Sequence, residues 1–332
     1  HPEDPKSVVG FLFRIARLRM EADRPLPTFM SCDNLPHNGS ILRKLVLQFA
    51  HEVDPEAEQV LEQRGAFPNS MVDRITPTTT DEDRDHLREA WGIEDGWPVV
   101  CEDFRQWFIE DKFSDGRPDW DQVGAVFVPD VTPYERMKIR LLNGSHSALA
   151  YMSYLIGHRR VDRAMADEDV RAFVERYMAE IEPTVGEVPG VDLRDYQQTL
   201  VARFANPAVG DQVVRLCQDG SRKIPNMMLD PVSELMQAGR SYGHAAFAIA
   251  AWIRFLQGTD ENGEDIFIDD PQAEVLGEAA RACTDSVVPF LSLDFVFPVR
   301  LLDDSGFAGE VTRWFAMIRE KGTQQALREH LS

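Results

Sequence analysis

The chain has 332 residues, 43% of them apolar, with 56 acidic against 35 basic side chains and a formal charge of −21. That length can enclose two sizeable cores. The charge repels phosphate backbones and anionic membrane surfaces, so nucleic acid and membrane are set aside as partners in favour of a small molecule. Cys32, Cys101, Cys217 and Cys283 form no CxxC pair, and the eight histidines show no HxxxH spacing. No metal site or disulfide framework is therefore expected, and reduced thiols in a cytoplasmic protein are. No apolar run has the length of a membrane span, and HPEDPKSVVG is not a signal peptide.

Asp4 is the expected N-cap, and Pro5 the first position, of a helix whose Val8, Phe11, Leu12, Ile15 and Leu18 share a face. PTFMSCDN reads as a short strand ending in polar residues. NGSILRKLVLQFAHEV reads as a second helix capped by Asn38 or Ser40. AFPNSMVDRITPTTT is strand or loop, and DEDRDHLREAWG a short helix capped near Thr80 and closed by Gly92. GWPVVCEDF and VGAVFVPDV are two further expected strands. This alternation points to an α/β layer with some parallel pairing. After about Pro129 helical periods dominate, over 134–157, 167–182, 192–204, 207–218, 229–239, 241–257, 271–283 and 308–321. The expected organisation is an α/β domain over 1–130 and a mostly α-helical domain over 131–332.

No two of the 21 glycines have the GxG spacing, so there is neither a GxGxxG fingerprint nor a P-loop. HNGSILRK offers one glycine before a helix, which alone says little about phosphate binding. An α/β region entered through a helix reads as the later part of something longer.

The stretch YERMKIRLLNGSHSALAY, residues 134–151, carries apolar residues at helical spacing with Glu135, Lys138, Asn143 and His146 among them. With Lys138 at zero on an α-helical wheel, Glu135 falls near roughly 60°, His146 near roughly 80° and Asn143 near roughly 140°. One such polar residue in an apolar helix is usually satisfied structure. Four on one face suggest chemistry. A buried lysine loses affinity for its proton and can act as acid or base near neutral pH. An asparagine beside it can stabilise an alkoxide or carbonyl oxygen. His146 can orient a substrate hydroxyl, and Glu135 can relay a proton to water. These parts suit the interconversion of an alcohol and a carbonyl without a metal, the hydride coming from a cofactor. Further polar positions stand at strand ends: Asp33 and Asn34 in SCDNLPHNG, and Asn69, Asp73 and Arg74 in FPNSMVDRITP. RLCQDGSRKIP clusters Arg215, Arg222 and Lys223, a basic loop in an acidic chain.

KIRLLNGSH resembles the Lys-x4-Asn-x2-His signature of the long-chain polyol dehydrogenases, the mannitol 2-dehydrogenase family. SCDNLPHNG, FPNSMVDRITP, EDFRQWFIEDKF, the run from GRPDWDQVG to HSALAY, VPGVDL, RFANPAVGDQ and DGSRKIP resemble that family in the same order. The resemblance implies an incomplete Rossmann-type portion followed by a helical domain, and an NAD- or NADP-dependent, metal-independent, monomeric enzyme interconverting D-mannitol and D-fructose. It implies that Lys138 is the general acid/base, that Asn34 and Asn143 form the oxyanion hole, and that Asn34 stands near the nicotinamide. It also implies that His146 orients substrate and lysine, that Glu135 exchanges protons with solvent, and that Asp73, Arg215 and Lys223 hold substrate hydroxyls. The family's glycine-rich first βα turn, and the acidic residue after its next strand, are not in this sequence, so the family's N-terminal part is expected to be absent. Two alternatives are a hexuronate (fructuronate-type) reductase, with Arg222 on the carboxylate, and a non-catalytic fragment lacking the dinucleotide-binding turn.

Overall fold

The computed structural model describes residues 3–298, 301 and 305–332. They form two compact units, one made of the chain up to Arg74 with Asp103–Glu135, the other of Ile75–Glu102 with the chain from Arg136 onward.

The first unit is α/β. Helices α1 (Val8–Glu21), α2 (Asn38–Val53) and α3 (Pro55–Arg64) accompany strands β1 (Ser70–Asp73), β2 (Gln106–Glu110) and β3 (Ala125–Val128). The strands lie in the order β1-β2-β3, with β1 antiparallel and β3 parallel to β2. Phe13, Ala16, Val46, Ala50 and Leu61 are fully buried between the helices, and Phe29 stacks on Phe67 beside them.

Several local expectations change here. Helix α1 begins later than Asp4, because the Ser7 side chain accepts from Gly10 N and caps it. PTFMSCDN forms no strand. Thr28 makes one isolated bridge with Ala66, and the residues beyond are held by side chains instead of a ladder. Asn38 Nδ2 donates to the carbonyls of Asp33 and Ser70, and Ser70 Oγ donates to that of Ser31. GWPVVCEDF is not a strand either. Its Glu102 turns to Ile75, and the strand forms from Gln106, beyond it.

Helix α2 is entered through His37 in the left-handed region (φ 53°) with no side-chain cap from Asn38 or Ser40. Asn38 Oδ1 accepts from Gly39 N and Ser70 N, and Asn69 Oδ1 accepts from Ser40 N. The first free N–H groups of α2 are thus spent on side chains rather than offered to a phosphate. Gly39 is there for packing, since a Cβ would stand 2.3 Å from the Pro68 carbonyl oxygen.

The second unit is helical. Helix α4 (Asp81–Trp91) has the Thr80–Asp83 capping box and ends at Gly92, as its sequence suggests. The chain passes into this unit inside a helical run, in which α5 (Thr132–Met137) leads through a π turn at Lys138–Asn143 into α6 (Gly144–Ile156). Then follow α7 (Val161–Ala166), α8 (Glu168–Ile181), α9 (Leu193–Phe204), α10 (Val213–Cys217) and α11 (Gly220–Ile224). A second π turn at Pro225–Leu229 precedes α12 (Asp230–Gln237), α13 (Gly243–Leu256), α14 (Ala273–Ala282) and α15 (Val288–Leu291). Helices α16 (Ser305–Lys321) and α17 (Thr323–Leu331) close the chain. Helices α6 and α13 are buried almost all round and form the centre. The four cysteines are free thiols, and no helix among the described residues is long and apolar enough to cross a membrane.

His330 seats α17 in an aromatic box of Phe173, Phe247, Trp314 and His244. Burial, helped by neighbouring His244, lowers its pKa to about 3. A histidine held neutral in the fold but free to protonate near its ordinary value when unfolded stabilises fully above that value, and the contribution drains away as the pH falls toward 3. Thermal melts from pH 7.5 down to pH 5 are expected to show a steeper loss of Tm for the native sequence than for His330→Phe. Parallel curves would show that His330 carries none of the acid sensitivity.

Candidate functional site

The polar stretch read as one continuous α-helix is not one. Residues Lys138–Asn143 form a π turn, with Gly144 N–H bonded to the Ile139 carbonyl five residues back. The turn inserts a residue relative to α-helical phasing, so the wheel angles expected for Asn143 and His146 do not hold. Arg140 anchors the turn. Its guanidinium meets both Glu234 carboxylate oxygens at 2.6 Å and donates to the Thr184 carbonyl. Gly144 is pressed against the second π turn. A Cβ there would lie 2.9 Å from Tyr177 Oη and 3.0 Å from the Met227 carbonyl oxygen.

Around this junction the second unit collects cations. Lys138 is buried, and His146 is 8% exposed. The imidazole is held well below its ordinary pKa by burial first, then by the charges of Arg215, Arg203, Lys138 and Lys223, so it is neutral at physiological pH. It stacks on Phe204, with ring centroids 4.1 Å apart. Four polar atoms here, Asn143 Oδ1, Ser145 Oγ, His146 Nε2 and Tyr177 Oη, are buried without a hydrogen-bond partner among the described residues. Amide oxygen and nitrogen can exchange places by a flip, so Asn143 can present either a donor or an acceptor.

Arg215, on α10, is bound through Nε and Nη2 to Asp211, at 2.7 and 2.5 Å. Lys223, on α11, has its pKa lowered chiefly by burial, against the pull of Asp219. Its helix is held by Ser221, whose N–H and hydroxyl both donate to Asp270. Arg222 faces solvent. The second unit therefore carries Lys138 and His146 on the helical run that also holds Asn143, and adds Arg215 from α10 and Lys223 from α11, whose charges act on His146.

Asn34, Asp73 and Glu135 belong to the first unit. Asn34 sits in the exposed loop that Asn38 ties to β1, its N–H bonded to Asp33 Oδ1. Asp73 ends β1, opposite Gln106, and is 2% exposed. Glu135 accepts the His37 N–H through both oxygens, at 3.1 and 3.2 Å. Burial raises its pKa, opposed by that hydrogen bond.

The sequence reading missed Arg203, Phe204, Glu102 and Asp211. All four lie in quoted motifs, EDFRQWFIEDKF and RFANPAVGDQ, to which no chemistry had been attached. Among the described residues there is no group of three or more His, Cys, Asp or Glu side chains placed to hold a metal.

Gly144→Ala is expected to force the two π turns apart and cost about 1–3 kcal/mol, the usual penalty of overpacking. Denaturant unfolding measures it, and a stability within error of the native chain would show that the junction has slack.

A family model described as the mannitol dehydrogenase C-terminal domain matches residues 130–318, and one described as the mannitol dehydrogenase Rossmann domain matches residues 2–122. The second match corrects the expectation that the family's N-terminal part is absent, since both family domains are represented. What the sequence lacks is a GxG glycine pair. The chain is 40% identical over 333 residues to a mannitol 2-dehydrogenase of Phaeosphaeria nodorum, covering 99% of this chain and 58% of that protein. It is similar, at 42% identity and a TM-score of 0.89, to the structure of Pseudomonas fluorescens mannitol 2-dehydrogenase in ternary complex with NAD and D-mannitol, covering 99% of this chain and 67% of that one. A substrate-free D-sorbitol dehydrogenase structure is similar at 36% identity, also with a TM-score of 0.89, covering 98% of this chain and 68% of that one. The chain thus spans about three-fifths to two-thirds of the length of these relatives. With its Rossmann-type first domain and mostly helical second domain, the chain belongs to the mannitol dehydrogenase family.

Proposed function

We propose that the chain carries the substrate-handling residues of an NAD(P)-dependent polyol dehydrogenase interconverting D-mannitol and D-fructose. The observation that carries this reading is the neutral, buried His146 set among Lys138, Arg215 and Lys223, beside a π turn that ends in Asn143. Lys138 gives its proton to the carbonyl oxygen in reduction and takes it back in oxidation. Asn143, with Asn34, stabilises the developing oxyanion. His146, uncharged, accepts or donates a hydrogen bond to a hydroxyl without repelling the ammonium groups around it. Arg215 and Lys223 bind further hydroxyls, as does Asp73. Glu135, whose raised pKa suits a carboxyl that changes protonation, exchanges the proton with solvent.

A nicotinamide cofactor, NAD or NADP, supplies the hydride in this reading. The residues that fit it are those of the alcohol and carbonyl side, where Asn143 and His146 keep polar atoms unpartnered. No pyrophosphate cradle is formed by the described residues. The glycines include no GxG pair, and the α2 amides are taken by Asn38 and Asn69. The lysine ammonium serves where a metal-dependent enzyme would use a Lewis acid. The acidic chain and its free thiols support a cytoplasmic protein with neither nucleic acid nor membrane as partner, and the family resemblance alone suggests a monomer.

The test follows NADH or NADPH oxidation with D-fructose and, separately, with fructuronate. Turnover on fructose is expected, falling about 10²- to 10⁴-fold in Lys138→Ala, the usual worth of a positioned acid or base. Circular dichroism of that variant should stay native. Preference for fructuronate would replace the polyol by a sugar acid, and equal rates in native chain and Lys138→Ala would remove the lysine from the chemistry.

A further inference from the structure

His146 is the polar centre of the basic cluster, yet its Nε2 is buried without a hydrogen-bond partner among the described residues. The outer torsion of a histidine is broad, so an imidazole without such a bond has no intrinsic reason to keep one plane. One flat contact supplies that reason. The Phe204 ring lies 4.1 Å from the imidazole, centroid to centroid, and inclined by 28°. Phe204 is 2% exposed and is the last residue of α9.

The residue before it is clamped. Arg203 donates from Nε and Nη2 to the Glu102 carboxylate, at 3.0 and 2.7 Å for the shorter bonds, with both side chains buried. Glu102 in turn accepts the Ile75 N–H at 2.6 Å. The end of α9 is therefore pinned by a desolvated ion pair whose acid is fixed to the backbone. Breaking such a pair leaves a buried charge and is costly, so the pair holds position well.

We propose that Phe204, held in place by the Arg203–Glu102 pair, is a positioning residue that sets the plane of the His146 imidazole and so aims its Nε2. The consequence for turnover rests on the polyol reading above; the consequence for the ring does not. This gives EDFRQWFIEDKF and RFANPAVGDQ a shared task. The first supplies Glu102. The second supplies Arg203 and Phe204, and also Asp211, which fixes Arg215 from the same segment.

The charges of four cations act on the ring: Arg215 on α10, Arg203 on α9, Lys138 on the first π turn and Lys223 on α11. Together with burial under Phe204 they keep it uncharged. Removing the aromatic face admits water and lets the ring turn, so it should gain access to its charged form.

The experiment is carbon-13 NMR of the full chain labelled at the histidine rings, with the His146 resonance identified by its loss in His146→Asn. In the native chain that resonance is expected to stay fixed from pH 8 to pH 5. In Phe204→Leu, which keeps an apolar side chain but no flat face, it should broaden and titrate. In Phe204→Tyr, which keeps the ring, it should behave as in the native chain. If Phe204→Leu does not fold, Phe204→Met is read in the same way. A folded variant without the ring whose His146 resonance is unchanged overturns the proposal, leaving Phe204 as core filling.

Kinetics separates the two readings. If the chain turns over fructose, Phe204→Leu should lower kcat by up to about 100-fold, the scale of a misplaced group. If the ring change is seen but the native chain has no turnover, the polyol reading fails and the positioning stands.

Discussion

The close approach at Gly144 is the constraint on which the site depends. Two π turns, Lys138–Asn143 and Pro225–Leu229, meet where a Cβ would overlap Tyr177 Oη and the Met227 carbonyl. A π turn wastes α-helical hydrogen-bond geometry and survives only where its surroundings hold it. Here Gly144 lets the second turn pack against the first, while Arg140 reaches to Glu234 and Thr184 to hold the other side. The extra residue in the turn sets the angle between Lys138 at its start, Asn143 at its end and His146 beyond it. The relation among three polar groups is thus fixed by a glycine that carries no chemistry.

Electrostatics in the second unit follows from how that junction is paid for. The chain is strongly acidic overall, and in the second unit some of its acids are paired with arginines. Glu102 faces Arg203 and Asp211 faces Arg215, each through two donor nitrogens, while the more exposed Glu234 faces Arg140. Such pairs are weak evidence for stability, because desolvation cancels much of the attraction. What they do well is hold a guanidinium in one place. His146 sits inside this arrangement as the one group that escapes charge, because a fifth cation there would have neither water nor a carboxylate to offset it.

How far the sequence reveals this differs by level. The helical character of the second unit was legible, because apolar spacing over 167–182, 192–204 and 241–257 matches α8, α9 and α13 within a residue or two. The Thr80 cap and Gly92 stop were legible because their chemistry is local. The strand expected at PTFMSCDN failed for a non-local reason, since Asn38 and Ser70 take over the hydrogen bonding there. Helix α3 went unread although Asp54 and Pro55 mark its start, because its apolar face is narrow. Lys138, Asn143 and His146 stood out as polar residues in an apolar helix, but the π turn between them leaves no mark on periodicity. Phe204 was invisible for the opposite reason. A phenylalanine at the end of an amphipathic helix looks like core, and only coordinates show that its neighbour is an imidazole.

That distinction bears on what a buried polar atom means in this fold. Asn143 Oδ1 and His146 Nε2 each forgo a hydrogen bond, at a cost on the order of 1–3 kcal/mol for an unsatisfied group. Packing alone would favour apolar side chains at both positions, since α6 beyond them is buried almost all round and tolerates no loose fit. The fold instead carries both costs side by side, with a ring stacked on His146, the Arg140–Glu234 pair on the π turn and the close contact at Gly144 around them. A single unsatisfied group could be an accident of packing. Here Asn143 Oδ1 and His146 Nε2 lie on either side of Gly144, Ser145 Oγ lies between them, and Tyr177 Oη stands against that glycine, so four unsatisfied groups gather at one junction.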